Sequence, residues 1–111
     1  MDKLERYRQH VQAVLSQFAR YKPAYGEVEI EQVIDSQRDH YELLTVGWNK
    51  QQRIHGSLLH IDIKDGKLWI QHDGAEEGVA NVLVDMGVPK DDIVLAFHAP
   101  YKRPFTGFAT G

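Results

Sequence analysis

The sequence predicts an α+β domain: an N-terminal helix, an antiparallel β-meander of about four strands, a second helix packed on one sheet face, and a C-terminal extension. Three observations predict it. Apolar residues near the start recur at three- and four-residue steps, the period of a helix with one buried stripe. Asp65-Gly66 separates two apolar-rich runs, and both residues tolerate the positive φ of a two-residue hairpin turn. Asp73 and Glu76 then have the D-x-x-E spacing of a capping box, which opens a second helix directly after the hairpin.

The first helix is expected over about residues 2–20, with Leu4, Tyr7, Val11, Val14, Leu15 and Phe18 on its apolar stripe. Asp2 suits the positive N-terminal end, Arg20 and Lys22 suit the negative C-terminal end, and Pro23 stops it. The Tyr25-Gly26 pair leads into strands at residues 28–34, 41–48, 53–63 and 67–72. Short connections between sequential strands favour antiparallel neighbours. The second helix spans roughly residues 75–86. Gly87 fits its left-handed C′ position, Val88 is placed to touch Leu83 as in a Schellman motif, and Pro89 forbids continuation. Asp91-Asp92 is a candidate single helical turn, and residues 93–97 form a short apolar run, either a last strand or a buried connector. The Pro- and Gly-punctuated tail after His98 reads as irregular.

The 111 residues make one domain, 1–111, with room for a single core. No apolar run approaches the roughly 20 residues of a membrane span, and no basic segment precedes an apolar one as in a secretory signal. The absence of cysteine removes disulfides and thiolate metal sites, in keeping with a cytoplasmic address. A net charge of −3 weighs against autonomous DNA binding, which draws most of its non-specific affinity from a basic face.

Centring the hairpin on Asp65-Gly66 fixes its register: Lys64 faces Lys67, Ile63 faces Leu68 and Ile61 faces Ile70. Ile61, Ile63, Leu68 and Ile70 then share the face under the helices, while His60, Asp62, Trp69 and Gln71 lie opposite. Leu58 has the parity of this second face, so Leu58 and Trp69 make it apolar enough to need a cover. The tail, with Tyr101, Phe105 and Phe108, is one cover; a second subunit is the other. A homodimer with Leu58 and Trp69 in its seam is therefore expected.

Among possible chemistries, His60-x-Asp62 sets an imidazole and a carboxylate on one face, a candidate ligand pair for a metal. His72 points to the opposite face in this register, and hydrogen-bonded sheet histidines are the favoured reading, with no metal or other cofactor called for. Asp62-Ile63-Lys64 has the D-x-K spacing of a nuclease strand, with Asp39 or Glu42 as the further acid; a solvated lysine beside a glycine turn is the plainer reading of Lys64. Ser16, Ser36 and Ser57 lie in no nucleophile elbow, and Glu76 and Glu77 would repel phosphate from the second helix start. Arg6, Arg8, Arg20 and Lys22 read as a solvated helix face diluted by Asp2 and Glu5. Tyr101-Lys102-Arg103-Pro104-Phe105 places two cations between aromatics in a proline-stiffened segment, and aromatics with Arg are the usual interface anchors.

The run LLHIDIKDGKLWIQHDG, followed by GVPKDDIVLAFH and PYKR, resembles the XisI family, the fdxN element excision controlling factors. The opening MDKLERYRQHV and Gln37-Arg38-Asp39-His40-Tyr41 fit as well, so the similarity covers nearly the whole chain. The resemblance implies an accessory role in excising a DNA element by site-specific recombination in cyanobacteria, beside a recombinase that performs strand exchange. It also implies a second factor, an XisH-like protein resembling a nuclease, as partner. The expected role is regulation through protein contacts, with Tyr101, Lys102, Arg103 and Phe105 as contact residues, weak or indirect contact with DNA, and no catalysis. The alternatives are a Mg²⁺-dependent nuclease or hydrolase using Asp62 and Lys64, and a direct DNA-binding factor.

Overall fold

The computed structural model describes residues 2–20, 26–75 and 77–111. Helix α1 (Lys3–Phe18) begins where the Asp2 side chain accepts the Glu5 amide at 2.8 Å, an N-cap that satisfies one orphan donor. Four strands follow, β1 (Glu27–Asp35), β2 (His40–Asn49), β3 (Gln52–Lys64) and β4 (Lys67–Asp73), then α2 (Val79–Asp85) and β5 (Ile93–Leu95). Short 3₁₀ segments occupy Lys90–Asp92 and Pro100–Phe105, so the tail expected to be irregular carries one ordered turn. The readings of Lys22, Pro23, Tyr25 and Glu76 fall outside the described residues.

The sheet order is β1-β2-β3-β4-β5. The first three pairings are antiparallel, as the short turns require, but β5 runs parallel to β4. The pure meander is thus corrected to a five-stranded mixed sheet. The physical cause is the crossover: α2 carries the chain back along the sheet, so the next strand enters in the same direction as β4. Apolar side chains then close the layer between sheet and helices. Tyr7, Val11, Val14 and Leu15 of α1, with Val79 and Leu83 of α2, are buried against Tyr41, Leu43, Leu59, Ile61, Leu68, Ile70 and Ile93. Each such side chain stabilises by roughly 1.5–3 kcal/mol relative to exposure.

The β3–β4 turn is as the sequence predicts. Asp65 and Gly66 have φ of 54° and 75°, and the pairs Lys64↔Lys67, Ile63↔Leu68 and Ile61↔Ile70 hold. The end of α2 also matches: Gly87 has φ 103°, its amide bonds to the Val84 carbonyl, and the Val88 amide bonds to that of Leu83. The start of α2 does not match. Gly78, at φ 76°, delays the helix to Val79, and Asp73 reaches forward to accept the amides of Ala75 at 3.0 Å and Val79 at 2.9 Å.

Two β-bulges correct the face assignments. One, between Leu43 and Leu44, leaves Leu58 of β3 without a partner: Leu43 pairs with Leu59, and Leu44 pairs with Ser57. An extra residue shifts the alternation by one, so Leu58 packs against the core with Leu59. It lines a cleft with Phe18 at the end of α1 and does not share a face with Trp69. The other bulge, at Gln71, makes His72 the cross-strand partner of His60, so His72 does not turn to the opposite face as an unbroken strand would have it.

Candidate functional site

The sheet surface away from the helices is the open face, and the pairing register populates it. His40 lies opposite Asp62 and Glu42 opposite His60, which brings four polar side chains of β2 and β3 into one patch. His40 Nδ1–H donates to Asp62 Oδ1 at 2.8 Å, and His60 Nε2–H donates to the same oxygen at 2.9 Å. Gln71 of β4 donates to the other oxygen at 3.3 Å. On its far side, His60 Nδ1 faces Glu42 Oε2 at 3.9 Å. His40 is more exposed than Asp62, His60 or Glu42, and its hydrogen bond to Asp62, then the Asp62 charge, raise its pKa above the ordinary histidine value. The metal candidates His60 and Asp62 are thus brought together, and His40, which the sequence reading did not single out, completes the set.

Of the residues named for a nuclease strand, Glu42 shares this patch with Asp62, whereas Lys64 and Asp39 are engaged by other groups. The Lys64 ammonium lies over the Trp69 ring at 4.3 Å from its centroid. The Asp39 carboxylate is engaged by Arg8 through two bonds of 2.9 and 3.2 Å and by the Tyr41 hydroxyl at 2.9 Å. Arg8 is accordingly occupied within the fold and does not present a free cation to DNA.

The tail residues divide. Arg103 turns inward, donating to the carbonyls of His98 at 3.0 Å and Ala96 at 3.4 Å and stacking over Trp69. Lys64 lies over the same indole, and Gly111 also approaches that ring. The expected cover for Trp69 is therefore supplied in part by the chain itself. Phe108 packs against the core. Tyr101 and Phe105 do not cover anything: they are 73% and 88% exposed, with Lys102 beside Tyr101. Phe97 is also exposed, at the base of the same segment. Among the described residues, no helix is long and apolar enough to cross a membrane.

A helix-backed mixed sheet with an open face and an aromatic tail defines a small α+β protein. The chain belongs to the XisI family, whose description, XisI protein, matches it over residues 1–110. It is similar to a XisI-like protein from Anabaena variabilis, with 39% identity over 97% of this chain and 99% of that one, at a TM-score of 0.91. It is also similar to the fdxN element excision controlling factor XisI of the same organism, with 33% identity, coverage of 99% and 100%, and a TM-score of 0.87. No curated protein matches the chain.

Proposed function

We propose that this protein is a controlling factor in the excision of a DNA element and acts through protein contacts, without strand-cutting chemistry of its own. Family membership and the name of the solved relative support the process. The observation that carries the mode of action is the exposure of Tyr101 and Phe105 on one short 3₁₀ segment, where neither side chain serves the fold. Large aromatics held rigidly in water are costly unless a partner covers them, and they are the usual anchors of interfaces. The partner of this reading is an XisH-like protein, with a site-specific recombinase as a further member of the assembly. Lys102 borders the anchors, whereas Arg103 contributes by holding the segment in place.

A second copy of the chain is a further element of the reading. Leu58 is removed from the seam by its bulge, but Val33 and Trp48, exposed on the same open face, remain as apolar contacts for a two-fold dimer. Light scattering coupled to gel filtration at micromolar concentration should give twice the chain mass; a clean monomer removes the dimer from the account.

Co-expression with an XisH-like protein tests the main reading. Wild-type chain should recover a complex, and Tyr101→Ala with Phe105→Ala should abolish it without a large change in melting temperature. Tight binding of the isolated protein to the element's end sequences at physiological salt would favour direct DNA recognition instead. Cutting of supercoiled plasmid with Mg²⁺ by the purified chain would favour the nuclease alternative.

A further inference from the structure

We propose that His40, His60 and Asp62 form a binding site for one divalent transition-metal ion of the Zn²⁺ or Co²⁺ type on the open face of the sheet. Each residue offers a ligand atom, and these atoms lie within 4.8 Å of one another. Two imidazoles already direct nitrogens at a single carboxylate oxygen, at 2.8 and 2.9 Å. Two donors each about 2.0–2.1 Å from an ion, at angles between octahedral and tetrahedral, lie about 2.9–3.4 Å apart. The two imidazole–carboxylate distances therefore need a shift of only a few tenths of an ångström to admit the ion, and the ion draws the two ring nitrogens, now within 4.8 Å, toward each other. Paired strands hold the three residues, since His40 and Asp62 are direct cross-strand partners and His60 is two residues from Asp62 on the same face.

The surrounding groups suit a metal. His60 Nε2 points at Asp62, and Nδ1 on the far side of the ring lies 3.9 Å from the Glu42 carboxylate. An ion taken by Nε2 moves the ring proton to Nδ1, where it faces Glu42. That is the carboxylate–histidine–metal arrangement that orients metal ligands. Gln71 meanwhile holds Asp62 Oδ2, leaving Oδ1 for the ion. Two nitrogens and one carboxylate select borderline ions over Mg²⁺ or Ca²⁺, which prefer oxygen. His40 is the exposed member, so the remaining coordination positions face solvent.

Untagged full-length protein should be titrated with Zn²⁺ by calorimetry and with Co²⁺ by visible absorption. One ion per chain is expected, with a rise in melting temperature, because the ion links β2 to β3. His40→Ala, His60→Ala and Asp62→Asn should each weaken binding by about tenfold or more. His55→Ala, an exposed histidine elsewhere on β3, should not. Should a variant fail to fold, NMR of the wild type with Co²⁺ still decides: the ring signals of His40 and His60 should shift, and those of His10 and His98 should not. Absence of binding by the wild type, or wild-type affinity retained in His40→Ala and His60→Ala, would overturn the site, as would half an ion per chain.

Discussion

At the residue scale, Asp39 shows how one side chain joins several parts of the fold. It occupies φ 58° in the β1–β2 turn, accepts two bonds from Arg8 of α1, and accepts the hydroxyl of the fully buried Tyr41. Its backbone carbonyl also receives the Ile63 amide at 3.0 Å. The Arg8 hydrogen bond is the largest of the influences that hold its carboxyl below the ordinary aspartate value. A depressed folded-state value means that the native state holds its negative charge more firmly than the unfolded chain does. The stabilisation is therefore complete above the unfolded value, about 3.9, and is lost as pH falls through the lower folded value. Asp39→Asn keeps a residue type that tolerates positive φ and removes the charge. At pH 7 it should cost about 1.5–3 kcal/mol. Urea unfolding between pH 7 and pH 2 should show the gap between wild type and variant closing as pH falls below about 4; a gap independent of pH would mean that the ion pair contributes nothing.

At the element scale, the sheet's two faces make a quantitative prediction. Ile61 and Ile70 are fully buried and face each other across the hairpin, so Ile70→Ala should destabilise by about 2–5 kcal/mol. Gln71→Ala, at an exposed bulge residue, should cost far less in chemical denaturation; equal losses would contradict the register. A second position tests the packing of β1 on β2. A Cβ on Gly47 would lie 2.0 Å from the Glu27 carbonyl oxygen, a backbone atom with no easy escape. Gly47→Ala should therefore lower stability by about 1–3 kcal/mol, read as a fall in melting temperature. The outer strand β1 carries Glu27, Glu29 and Glu31 along one face, charges that discourage edge-to-edge pairing with other chains.

The local rules made the hairpin turn and the Schellman end of α2 legible in the sequence, because Asp65-Gly66 and Gly87 act through their own backbone angles. The bulges were not legible, since an extra residue leaves no mark on composition or turn chemistry. Their effect is nonetheless decisive for the site. Extending the regular pairing from Asn49↔Gln52 would set His40 opposite Ile61; the bulge at Leu58 moves it opposite Asp62 and onto the open face. That one-residue shift explains both the inward turn of Leu58 and the missing third member of the His60–Asp62 pair. Tyr101 and Phe105 are exposed, whereas the inward bonds of Arg103 depend on where the tail crosses Trp69.

At the scale of the whole molecule, the helices and core close one side of the sheet and leave the other side and the tail to the surroundings. A net charge of −3 and cations already engaged by neighbours, such as Arg8, Lys64 and Arg103, offer little to a phosphate backbone. On the proposed function, control of excision falls to contacts made by the tail. The most direct test is the yield of the excised junction from a reporter element in cells that carry the recombinase and an XisH-like protein, with and without this chain. Wild-type chain should change that yield, and the Tyr101→Ala, Phe105→Ala variant should not, although both accumulate to the same soluble level. A variant that changes the yield as fully as the wild type would contradict the account.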